Sequence, residues 1–279
     1  MTDTPSYAAN LSLVDERSTA LREAVAAASD LDARVPGCPD WSLRDLVSHL
    51  GQVQRFWSVV VRAGEADGPP SSELIPDPEP RGDLLDWFAE STRMLLAALA
   101  EAGPDAPCWT WWPGSGAPQT SGAVARHQVE EAAVHAYDAQ ETIGKPEPVP
   151  AAVAVDGVAE FLQVTYGSEG AWPHRPARVV FASTEGPSWT LDLTPAGARL
   201  DPEGARLDPE GVRLDSAGGG VDAAGAGAGP AGGGGPVATV HGSASDILLV
   251  LFGREPLETL RIDGDRTLVE HLRAWGDTQ

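Results

Sequence analysis

The chain has 279 residues, with 41 acidic against 19 basic side chains and a formal net charge of −22. That length holds one large domain or two modest ones, and two suits it better. So acidic a surface repels phosphate backbones and anionic membranes, which argues against a nucleic-acid role.

The opening "MTDTPSYAANLSLVDERSTAL" shows no basic segment followed by an apolar one, and no later apolar run is long enough to span a bilayer. The expectation is a soluble, cytoplasmic protein. Two distant cysteines, Cys38 and Cys108, form no CxxC pair and suit a reducing compartment.

Leu11, Leu13, Val14, Leu21 and Val25 recur among helix-favouring residues and predict a first helix over about 8–29. "RVPGCPD" breaks the chain. Ser42 followed by Asp45 fits a capping box, so a second helix should begin there and run to about Ala63. A long Pro-rich loop precedes a third helix at about 83–102. A Trp-rich loop containing Trp109, Trp111 and Trp112 precedes a fourth, Ser121 to Thr142, which stops before Gly144 and Pro146. Four amphipathic helices of similar length predict a four-helix bundle over 1–146 whose long loops shape a pocket mouth.

The pattern then changes. One more helix around "VPAAVAVDGVAEFLQVTYG" leads to alternating strands "ARVVFAS" and "SWTLDLT" about a "TEGP" turn. Later segments read as a strand "PVATVHGS", a helix "ASDILLVLFG", a strand "ETLRIDGD" and a closing helix "RTLVEHLRAW". The fold class is therefore α+β, with a small second domain over 147–279. Within it "ARLDPEG" occurs twice and decays into a Gly-rich tract. Recurrent Pro and Gly exclude a coiled coil, so 198–236 reads as a disordered insertion between strands.

On the fourth helix, "RHQVEEAAVHAYDA" puts Glu131 and His135 one turn apart on one face, with Asp138 and His127 on the same side. Ionisable groups on a face that also carries Val124 and Val134 are costly unless paired or metal-bound. His49, on the second helix, lies at the edge of the arc formed by Leu46, Leu50 and Val53. If it points inward, His49, Glu131 and His135 make a two-imidazole, one-carboxylate set suited to Zn²⁺ or a related ion, with Asp138, or His127, orienting a ligand imidazole. Spacing alone leaves a plainer reading open, a solvated Glu–His pair and a satisfied core-edge histidine. His174, His241 and His271 have no partner at ligand spacing. No phosphate loop or nucleophile elbow is present.

"VPGCPDWSLRDLVSHLGQV" and "RHQVEEAAVHAYDAQ" resemble the two signatures of the mycothiol-dependent maleylpyruvate isomerase family, among the DinB-like metal-binding bundles. "VHGSASDILLVLFGREPLETLRIDGD" is similar to that family's sterol-carrier-like C-terminal domain. The resemblance spans most of the chain outside the insertion. It implies His49, Glu131 and His135 as ligands of a divalent metal, usually zinc, that binds the thiol of mycothiol. It also implies an assisting arginine, matched by Arg254, whose plainer role is to cap its helix. The chain departs from the pattern at Glu130, where another residue commonly precedes the glutamate.

These readings lead to an enzyme that attacks a small electrophile with the mycothiol thiolate, in detoxification or natural-product assembly, with the second domain covering the site's mouth. The alternatives are a maleylpyruvate isomerase and a metal- or thiol-binding sensor without turnover. Substrate and oligomeric state are open in the sequence.

Overall fold

The computed structural model describes residues 5–201 and 235–276. Four long helices open the chain: α1 (Tyr7–Ala26), α2 (Leu43–Ala63), α3 (Leu84–Ala102) and α4 (Ser121–Thr142). They close a ring in which α1 packs on α4 and α3, and α2 packs on α3 and α4. Leu43, Leu46, Val47 and Leu50 of α2 are fully buried, so its apolar arc faces the bundle as the periodicity predicts. The α2 start is the predicted capping box: Ser42 Oγ accepts from Asp45 N–H, and the Asp45 carboxylate accepts from Ser42 N–H.

The segment expected as a plain break folds instead into a hairpin of β1 (Arg34–Val35) and β2 (Cys38–Ser42). The hairpin leans on α4. A Cβ at Gly37 would meet Asp138 Oδ1 at 2.8 Å and Arg254 Cγ at 3.1 Å, so this close approach requires glycine.

Helix α5 (Ala151–Ser168) packs against α4 and leads into the second part of the chain. There β3 (Ala177–Ser183), β4 (Ser188–Thr194), β5 (Gly197–Leu200), β6 (Val237–Gly242) and β7 (Arg261–Gly264) form one sheet ordered β5-β4-β3-β6-β7. All its pairs are antiparallel except β3 with β6. Helices α6 (Ala244–Leu251) and α7 (Arg266–Gly276) pack on β3 and β6. The architecture is thus the predicted α+β class, a helical bundle followed by a small mixed domain. A continuous apolar core runs from Val14 and Trp57 through Val158 of α5 to Val179 and Leu191 of the sheet.

The expected insertion at 198–236 begins too early. Ala198, Arg199 and Leu200 complete β5 and pair with Leu193, Asp192 and Leu191 of β4, because a strand edge recruits the first alternating residues of the repeat. Residues 202–234 of that insertion lie outside the described residues. No helix among the described residues is long and apolar enough to cross a membrane.

Candidate metal centre

His49 sits between buried Leu46 and Leu50, half-buried at the rim of the apolar arc of α2. Across the α2–α4 contact, Glu131 and His135 project from successive turns of α4, with His135 Nε2 lying 3.4 Å from Glu131 Oε2. The rings of His49 and His135 meet edge-on, 5.3 Å between centroids. One donor atom each from His49, Glu131 and His135 lies within 4.8 Å of the others. The structure therefore brings His49 of α2 to the Glu131–His135 pair of α4, which the sequence could only place on separate helices.

Asp138, fully buried one turn beyond His135, accepts from His135 Nδ1 at 2.9 Å. That bond fixes the tautomer and leaves Nε2 facing Glu131 and His49. Arg254 holds the same carboxylate by two bonds, Nε to Oδ1 and Nη2 to Oδ2, each 3.0 Å. Its Nη2 also lies 3.1 Å from Cys38 Sγ, and its Nη1 donates to the Phe252 carbonyl at 2.7 Å. Arg254 thus touches the set through Asp138, and the Phe252 bond closes the end of α6 as a cap would. Beside it, Tyr137 donates to Glu255 at 2.6 Å. The second domain backs the site with these residues. Among the described residues it does not cover the mouth, because the groove that opens onto the donors is lined by residues of the first domain.

Charge separates the donors. Burial, with His135 nearby, lowers His49 to about 4, so this imidazole is neutral at physiological pH. Burial opposes a charge on His135 too, but the bonds from Asp138 and Glu131 outweigh it and raise the ring to about 9. Burial opposes ionisation of Glu131, yet His135 and His127 bring it down to about 2. Two imidazoles and an ionised carboxylate, with one ring nitrogen oriented by a buried aspartate, are a donor set that fits a divalent first-row cation.

His127 has a different partner. Its Nδ1 lies 3.0 Å from Glu160 Oε1 of α5, and its Nε2 is 3.9 Å from Glu131 Oε1. Glu130 turns away from the first set toward Glu160, and burial together with Glu160 raises its pKa well above the ordinary carboxylate range. His127, Glu130 and Glu160 are a second set of close donors. They are buried; burial and Glu160 push Glu130 toward its neutral form, while Glu160, held ionised at about 2, raises His127 toward its charged form, so the charges offset within the set, with Arg126 close by. Sequence reasoning missed Glu160. Its signal was an acidic residue inside the apolar run "VAVDGVAEFLQV". His174 and His271 stack 4.2 Å apart, and His241 pairs with Asp263 at 3.1 Å, all remote from α4 in the second domain.

A groove of about 490 Å³ leads from the surface to His49, Glu131 and His127. Its walls are Val53, Phe56 and Trp57 of α2, Trp111 of the Trp-rich loop, and Ile75 and Pro78 of the loop before α3. Arg55 Nη1 donates to the Pro76 carbonyl at 2.9 Å and Trp87 Nε1 to that of Asp77 at 3.0 Å, pinning that loop over the groove. Trp41 covers the other flank, with its ring 4.5 Å from that of His49.

Fold and site together define a DinB-like helical bundle, carrying a two-histidine, one-glutamate donor set, joined to a small α+β domain. The chain belongs to the mycothiol-dependent maleylpyruvate isomerase family: residues 11–140 match the mycothiol maleylpyruvate isomerase N-terminal domain, and residues 152–271 match the C-terminal domain of the same family. Membership makes it an enzyme of the transferase or isomerase type. Two solved structures share the fold, a mycothiol-dependent maleylpyruvate isomerase and a histidine-to-alanine variant of it. Each has a TM-score of 0.56 and 14% identity, covering 93% of both chains. No curated protein matches the chain.

Proposed function

We propose that the chain is a metal-dependent enzyme that uses mycothiol as its thiol, joining the sulfur to an electrophilic carbon of a small substrate. The observation that carries this reading is the convergence of His49, Glu131 and His135, with His49 and Glu131 opening onto a groove. The family match supports mycothiol as the thiol, and the donor chemistry supports zinc.

A divalent cation held by these three residues would lower the pKa of a thiol and keep it as thiolate at neutral pH. The protein's own groups prepare for that. Asp138 keeps the Nδ1 proton of His135 in place, so that Nε2 is the nitrogen that would give up its proton to the cation. Arg254 neutralises Asp138 and holds it in register, which makes it a positioning residue. One Nη1 hydrogen of Arg254 is left over, and a substrate carboxylate would have to reach that donor. Trp41 packs its ring against His49 and limits that imidazole's movement.

The family and structural matches favour a second reading, a maleylpyruvate isomerase. There the sulfur adds to an activated double bond, the resulting single bond rotates, and the thiol leaves unchanged. In transfer the carbon–sulfur bond persists. Purified protein loaded with zinc, given mycothiol and a panel of electrophiles and followed by mass spectrometry, separates the two readings. Transfer gives an adduct and consumes thiol. Isomerisation gives a rearranged product at constant thiol. No product with any electrophile would favour the sensor reading. We place this chemistry in the cytoplasm, where the free thiols Cys38 and Cys108 would stay reduced.

A further inference from the structure

The charge of the groove bears on the substrate. None of the residues lining it is lysine or arginine, whereas Glu79 and Glu131 are both there. Of the guanidinium groups around the groove, Arg254 is held by Asp138 and Arg55 by Ser91 Oγ at 2.7 Å and the Pro76 carbonyl, while Arg44 lines an adjoining groove that shares His49, Gln52 and Glu79. Apart from Gln52 and the two histidines, the other walls are aromatic or aliphatic. Trp57 and Trp111 pack edge-on against His127, about 6 Å between ring centroids; Trp57 is buried and Trp111 half-buried, so Trp111 is the indole of the wall open to a ligand. In the metal-loaded chain the cation would offset one carboxylate of a dicarboxylate, but the second would lie near Glu79 with no basic residue of this lining as partner, which is costly in a partly desolvated site. An uncharged flat molecule would bury apolar surface and stack on indole.

We infer that the electrophile this enzyme takes is an uncharged aromatic or apolar conjugated carbonyl compound rather than a dicarboxylate of the maleylpyruvate kind. The inference rests on the proposed thiol chemistry for its reaction, but its binding half stands on the groove alone. In the reaction the thiol S–H bond breaks, sulfur bonds to the β-carbon and the proton goes to the α-carbon. No oxidant or reductant is needed.

The test uses the full metal-loaded chain and isothermal titration, first without thiol, with 4-phenylbut-3-en-2-one and separately with maleylpyruvate. Saturable binding of the enone, with a Kd roughly tenfold or more below that of the dianion, supports the inference. Trp111→Ala should weaken the enone by about fivefold at unchanged metal content, as loss of an aromatic contact does. Val53→Arg, which puts a cation on the wall, should reverse the order of the two ligands. Equal or tighter binding of the dianion by the native chain overturns the inference, as does a Trp111→Ala chain that retains its metal and its native affinity for the enone. Mycothiol is then added. Enone binding without thiol consumption leaves this inference standing and refutes the thiol reading instead.

Discussion

His135 lies near 9 in the metal-free protein, so a metal that ligates its Nε2 must first displace a proton. At pH 7 the ring is two units below its pKa and about 99% charged, so the apparent metal affinity should be about 100-fold weaker than with the ring neutral. Because the protonated form is the one that cannot ligate, affinity rises with pH, about tenfold per unit from pH 6 to 8, and levels off above about 9. His49, at about 4, and Glu131, at about 2, are already in their ligating forms over that window and add no slope. Calorimetric titration with Zn²⁺ at pH 7 in buffers of different ionisation enthalpy should therefore return about one proton released per metal bound. Release of no proton, with an affinity flat from pH 6 to 8, would refute the reasoning, because the Asp138–His135–Glu131 chain would then not hold the ring charged.

Asp138→Asn should keep the side chain's shape while weakening its hold on His135 and leaving Arg254 without its counter-charge. Metal affinity measured by competition with a chromophoric chelator is expected to fall by roughly 10- to 100-fold, and unchanged affinity would show that His135 needs no such orientation. Gly51→Ala probes the packing that carries His49, because a Cβ there would meet Trp87 Cζ3 at 2.2 Å. The gain in helix propensity of about 1 kcal/mol should be outweighed by overpacking of about 1–3 kcal/mol, lowering Tm in a calorimetric scan; a raised Tm would contradict the tight α2–α3 contact.

The four bundle helices were legible because each carries its own signals: Ser42 with Asp45 at the start of α2, and Gly144 after α4. His49 was legible as an anomaly on an apolar arc, and Glu131 with His135 as a pair. What joined them was the packing of α2 on α4, which no local pattern encodes. Glu160 went unseen for the same reason: its partners His127 and Glu130 lie on another helix, more than 25 residues away. Arg254 was legible as a candidate, but the carboxylate it binds lies 116 residues earlier in the chain. The early start assigned to the insertion has a local cause. "ARL" in the first repeat looks like its later copies, and only pairing with β4 marks it as strand.

The central claim is that His49 and the α4 pair hold one metal ion between them. Elemental analysis of the purified chain and of His49→Ala and His135→Ala tests it most directly. The account predicts about one zinc or similar ion per native chain and its loss from both variants, with helical circular dichroism unchanged. A native chain without metal, or a His49→Ala variant that binds the ion as tightly as the native chain, would contradict it.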